Sequence, residues 1–179
     1  DRVGGNLIPA AVPEFKSDVK AFLEYLSRQV QKSGVRVQLN KRVTPELVIK
    51  SKADEVIIAT GATSVMPDIP GCEKKQVITA ADLLLGKRKT GKNVVVVGGG
   101  VIGCEAALWV AQKGKKVTIL ENLGDVMTDL FLANKKQLLQ MLSEKGVKIM
   151  TGVKLLEITD RDVLIENAGR KEPLEADTV

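Results

Sequence analysis

Histidine is absent from all 179 residues. General acid–base catalysis by imidazole is thereby excluded from this segment. Cysteine is nearly absent too: Cys72 and Cys104 stand far apart and form no CxxC pair. Neither a thiol–disulfide centre nor a metal cluster is indicated, and two reduced, partly buried thiols are expected. Aromatic residues make up only 3% of the chain. The net charge of +5 is spread through both halves without aromatics between the basic residues, so no nucleic-acid surface is expected. The tightest basic cluster, Lys87, Arg88, Lys89 and Lys92, lies just before a strand and reads as a solvated turn. No apolar run reaches the roughly 18 residues of a membrane span, and no basic-then-apolar leader opens the sequence. The expected setting is a globular chain in the cytoplasm, with no membrane partner.

What is present is enough apolar material, 44% of residues, for one large or two small domains with real cores. In the first part, Val19, Phe22, Leu23, Leu26 and Val30 share one face of a helix from about Ser17 to Lys32, with Ser17 placed as N-cap and Gly34 as the stop. The alternating VRVQLN, Val35 to Asn40, reads as a strand, and Thr44-Pro45-Glu46 starts a short helix. EVIIA, Glu55 to Ala59, is nearly all apolar and reads as a strand buried on both faces, as in a parallel sheet. MPDIPG then marks a linker, with a boundary near Gly71 that divides residues 1–71 from 72–179.

Beyond it comes a short capped helix, Thr79 to Leu85. Strands at Asn93 to Val97, Lys116 to Leu120 and Val147 to Met150 then alternate with helices at about Val101 to Lys113 and Phe131 to Lys145. This order gives a parallel sheet with right-handed crossovers. VKLLEI, DVLIE and KEPLEA follow as a small β-meander, and Ala176 to Val179 reads as the first half of a further buried strand at which the chain stops. The fold class is α/β: a Rossmann-like parallel sheet with flanking helices and a meander, preceded by part of another domain.

The junction of the first of those strands with its helix reads VVVVGGGVIGCEAA, and Gly98, Gly100 and Gly103 fit GxGxxG. Each glycine has a physical task there: Gly98 makes the tight turn, Gly100 lets the backbone approach a pyrophosphate, and Gly103 lets helix and strand pack closely. With Gly99 completing the turn, the phosphates are expected at the free N–H groups of Val101 and Ile102, where the helix dipole favours negative charge. Glu121 ends the next strand, near the spacing of about 20 residues at which an acid takes the ribose 2′-hydroxyl. It repels the 2′-phosphate of NADP, and Asn122 and Leu123 supply no arginine to offset that. NADH is therefore expected over NADPH.

GGN at Gly4 to Asn6, EVIIATGATSVMPDIPG at Glu55 to Gly71, and NVVVVGGGVIGCEAALWVAQKGKKVTILE at Asn93 to Glu121 occur in that order. Together they resemble the C-terminal part of the NADH:flavin oxidoreductase family, which includes 2,4-dienoyl-CoA and enoate reductases and whose nucleotide-binding domains are of the pyridine nucleotide-disulfide oxidoreductase type. The resemblance implies an FAD domain interrupted by an NAD(P) domain, both following a barrel that carries FMN and a 4Fe-4S cluster. It implies that the chain is a fragment, the tail of the FAD domain and most of the NAD domain, whose partner is the rest of the parent enzyme. By the same resemblance Gly4, Gly5, Thr60 and Gly61 lie on the FAD side, and Glu105 points toward the nicotinamide. Trp109, one turn further, reads as a core residue rather than a stacking partner.

Two classes of function follow. One is the nucleotide-binding part of an enzyme that passes hydride from NADH to FAD and onward to an activated C=C bond, with no turnover expected from this segment alone. The other is an NADH-binding sensor without turnover. The first is favoured because FAD-side motifs serve no purpose in a one-nucleotide sensor.

Overall fold

A computed structural model describes residues 2–179. The chain divides into two compact units, one ending at Thr63 and one running Ser64–Val179.

The first unit is helical. It holds α1 (Leu7–Ala10), a 3-10 turn (Glu14–Lys16), α2 (Ser17–Lys32) and α3 (Pro45–Ser51). Val19, Leu23, Leu26 and Val30 are half-buried along one face of α2, whereas Phe22 is exposed. Ser17 does not cap α2: the 3-10 turn runs straight into the helix, so Lys16 holds the cap position and Ser17 is already helical. Thr44 does cap α3, its hydroxyl accepting from the Leu47 N–H at 3.4 Å, with Pro45 in the first turn where no donor is needed.

Two expected elements do not form. Val35 to Asn40 and Glu55 to Ala59 carry no strand structure, and their side chains stand in solvent. A strand is completed by the hydrogen bonds of a neighbouring strand. Among the described residues of this unit there is no strand beside either segment. Apolar alternation states what a segment would bury, and here nothing is alongside to bury it.

The second unit is a layered α/β domain of Rossmann type. β1 (Asn93–Val97), α5 (Val101–Gln112), β2 (Lys116–Glu121), α6 (Leu132–Glu144) and β3 (Lys148–Thr151) alternate, and the strands pair in parallel in the order β1-β2-β3. α4 (Ala80–Leu84) precedes them, capped by the Thr79 hydroxyl accepting from the Asp82 N–H at 3.1 Å. An antiparallel meander follows: β4 (Val153–Ile158), β5 (Asp162–Asn167) and β6 (Arg170–Glu175). Its second hairpin turns on Ala168 and Gly169, both at positive φ, as a two-residue turn between right-twisted strands requires.

Pleat alternation divides the core. Val95 and Leu120 pack on Val153, Leu155, Ile158, Val163 and Ile165 of the meander. Val94, Val117 and Ile119, of the other parity, are buried as well, and α5 packs against β2 and α6. The final residues run beside the free edge of β1: Thr178 forms a parallel bridge with Val94, and the Thr178 carbonyl accepts from the Val95 N–H at 2.9 Å.

Candidate functional site

β1 delivers the chain to Gly98, whose φ of +103° an L side chain rarely adopts. The Gly98 N–H still reaches the Leu120 carbonyl at 2.9 Å, so the turn begins directly off the sheet. Gly100 holds the N-cap position of α5 in extended conformation; it brings no side-chain cap, and no acidic residue occupies the first turn. The amides of Val101, Ile102 and Gly103 open the helix and have no carbonyl of their own helix to bond. Where a side chain would leave Gly100 there is open space. Where one would leave Gly103 it would run into the Gly98 carbonyl oxygen. The turn is thus packed shut at Gly103 and open at Gly100, at the N-terminus of a helix, which suits an anion.

Glu121, at the end of β2, stands beside this turn as its spacing predicts. One carboxylate oxygen accepts from the Gly99 N–H at 2.7 Å and the other from the Leu123 N–H at 2.7 Å. The Gly99 carbonyl accepts from the Met127 N–H at 2.8 Å and from the Cys104 thiol at 3.4 Å. Cys104 is fully buried, and burial, followed by the nearby Glu121 and Glu105 charges, pushes its thiol up to about 11. It is therefore a protonated donor at neutral pH. Glu105 follows it on α5 and is half-buried. Trp109 is half-buried, with Lys113 Nζ 3.8 Å from the centre of its ring.

A cleft of about 570 Å³ opens within the second unit beside the turn. Gly98, Gly100 and Ile102 line it at the turn, with Val96, Met66 and Leu83 among its apolar walls. Among the described residues there is no group of His, Cys, Asp and Glu that could hold a metal ion, and no helix is long and apolar enough to cross a membrane.

The other singled-out residues lie in the first unit. Gly4, Gly5 and Gly61 all have positive φ, and Thr60 and Gly61 are exposed. Asn6 brings the two motifs together: its side-chain amide donates to the Ala62 carbonyl at 3.1 Å. Asn6 was visible in GGN but had no reason of its own to be chosen. The roles of Cys104 and Met127 at the turn left no signal, since one reads as a core thiol and the other as a loop residue.

A β-α-β-α-β parallel sheet whose first turn is this glycine loop defines a dinucleotide-fold domain of Rossmann type. Residues 32–179 match the family described as pyridine nucleotide-disulphide oxidoreductase, and the chain belongs to that family. Cinnamate reductase of Clostridium sporogenes is 32% identical across 98% of this chain and 27% of its own length. NADH oxidase of Thermoanaerobacter brockii is 36% identical across 90% of this chain and 25% of its own. A solved structure of 2-naphthoyl-CoA reductase with 2-naphthoyl-CoA superposes with a TM-score of 0.92 at 33% identity, over 100% of this chain and 27% of that one. The chain spans between about a quarter and two fifths of the length of the curated relatives it matches.

Proposed function

We propose that this chain is the nucleotide-binding portion of a flavin-dependent NADH oxidoreductase of the NADH:flavin oxidoreductase and enoate-reductase type, acting in the cytoplasm. In this reading residues 72–179 hold NADH and residues 1–71 contribute to an FAD site. Hydride passes from NADH to FAD and onward to an activated C=C bond in the longer protein, where a barrel carries FMN and a 4Fe-4S cluster. The observation that carries the reading is the glycine turn, open at Gly100 and packed shut at Gly103, in front of an uncapped helix and beside Glu121.

The residues fit a dinucleotide. Val101, Ile102 and Gly103 offer amides to a pyrophosphate, and Gly100 leaves it room. Glu121 keeps lone pairs beyond its two backbone bonds to accept from a ribose hydroxyl. Glu105 would stand on the nicotinamide side. The nicotinamide, when bound, supplies the hydride; this chain's task is to bind and orient it. On the FAD side, Gly4, Gly5 and Gly61 present backbone without a side chain, with Thr60 beside Gly61 and Asn6 joining the two motifs through Ala62.

Calorimetric titration of the chain with each nucleotide tests this. NADH is expected to bind at least tenfold more tightly than NADPH, a difference of about 1.4 kcal/mol, because Glu121 places a carboxylate where NADPH carries a phosphate. Equal affinities, or tighter NADPH, would overturn the assignment.

A further inference from the structure

The nucleotide reading gives Glu121 one partner, a ribose hydroxyl. The structure gives it two others already in place. Its carboxylate oxygens accept separately from Gly99 N–H and Leu123 N–H, each at 2.7 Å. Gly99 belongs to the turn between β1 and α5, and Leu123 to the loop that follows β2, so one side chain joins two loops. The Gly99 peptide is gripped at its other end as well, where its carbonyl accepts from Met127 N–H at 2.8 Å and the Cys104 thiol at 3.4 Å. There is no slack around it: a side chain at Gly99 would meet Val126 Cγ1 at 2.5 Å and Glu121 Cβ at 3.0 Å. The second loop is itself anchored, the Leu123 carbonyl accepting from Gly152 N–H at 2.8 Å just beyond β3.

From these contacts we infer that Glu121 is a positioning residue, whose carboxylate fixes the Gly99 peptide, and with it the turn that opens α5, against the loop after β2 before any nucleotide arrives. The chemistry demands this residue type. Bonds from backbone amides to a charged acceptor are the stronger class. Here each amide is met by a different oxygen; glutamine has one such oxygen, and aspartate is a methylene shorter. The consequence for affinity rests on the nucleotide reading: a turn already fixed has less ordering left to do on binding. The clamp itself does not rest on it.

Residue-resolved amide exchange by NMR on the nucleotide-free chain tests the clamp. In Glu121→Ala the Gly99 and Leu123 amides are expected to exchange roughly tenfold faster or more, while those of Val95 and Ile119 keep their wild-type rates. Glu121→Gln is expected to restore protection at one of the two amides only. Wild-type rates at both amides in the alanine variant would overturn the inference. So would equal acceleration at Val95 and Ile119 in either variant, which would make Glu121 a contributor to overall stability. Titrating the same wild-type sample with NADH separates the two claims, because failure to bind removes the nucleotide reading and leaves the exchange result to decide the clamp.

Discussion

Ile57 and Ile119 sit in similar surroundings in the sequence, EVIIA and KVTILE, and meet opposite fates. Ile119 is 0% exposed in the middle strand of the parallel sheet, whereas Ile57 is 91% exposed in a segment with no strand structure. Propensity does not separate them, since both runs are β-branched and apolar. β2 has β1 on one side and β3 on the other. The segment around Ile57 has no strand beside it among the described residues of its unit. A strand-forming pattern is a demand for neighbours, and the second unit contains the neighbours it demands.

The sharpest way to break this comparison is to truncate both side chains and measure denaturant unfolding of the chain. Ile119→Ala is expected to cost about 2–5 kcal/mol, through lost burial and the cavity left behind. Ile57→Ala is expected to change stability by no more than about 0.5 kcal/mol. A loss above about 1 kcal/mol for Ile57→Ala would mean that this segment is buried in solution.

The glycine turn allows the same contrast at shorter range. Gly100→Val is expected to weaken NADH binding at least a hundredfold, about 2.7 kcal/mol, with the circular dichroism spectrum near wild type, because the added side chain enters open space that the proposed reading assigns to phosphate. Gly103→Ala is expected to act on the fold instead, costing about 1–3 kcal/mol, since its methyl group meets the Gly98 carbonyl. Wild-type NADH affinity in Gly100→Val would place the phosphate site elsewhere. Unchanged thermal unfolding in Gly103→Ala would mean that the turn yields easily.

The smallest effect belongs to Cys104. Its thiol lies near 11 in the folded chain against an ordinary value of 9.0. The folded state therefore holds that proton more tightly, and stability is expected to be fully present below about pH 9 and to fall as pH rises toward 11. Cys104→Ala should flatten the unfolding free energy over that window relative to wild type. Parallel curves would remove the thiol from the account.

Most of the second unit was legible because the features that decide it are local or near in sequence. Alternating elements gave the parallel sheet, and the three short alternating segments VKLLEI, DVLIE and KEPLEA gave the meander. The glycine spacing marked the turn, and the position of Glu121 marked its companion acid. Three things were not legible. The strands expected at Val35 to Asn40 and Glu55 to Ala59 failed because pattern carries no information about whether a neighbour is at hand. Glu121 was read as a ribose ligand, and its hold on Gly99 and Leu123 depends on how two loops meet in space. Met127 adopts a φ of +49°, which nothing in a methionine announces.

The strap that closes β1 has a consequence for how the chain is made. Asp177 accepts from the N–H groups of Lys92 and Asn93 through one oxygen, at 2.9 and 2.7 Å, and those two amides hold its carboxyl below the usual carboxylate range. The Asp177–Asn93 contact joins positions 84 residues apart. On a ribosome, β1, α5 and β2 emerge and pair long before Asp177 exists. During that interval the outer edge of β1 carries unpaired backbone groups, which invite pairing with another chain. The loop that must close to cover that edge is long, and closures of such separation slow folding. The outer edge of β1 is therefore open to pairing in one definable window, after β2 has left the ribosome and before the strap at Asp177 and Thr178 has reached β1.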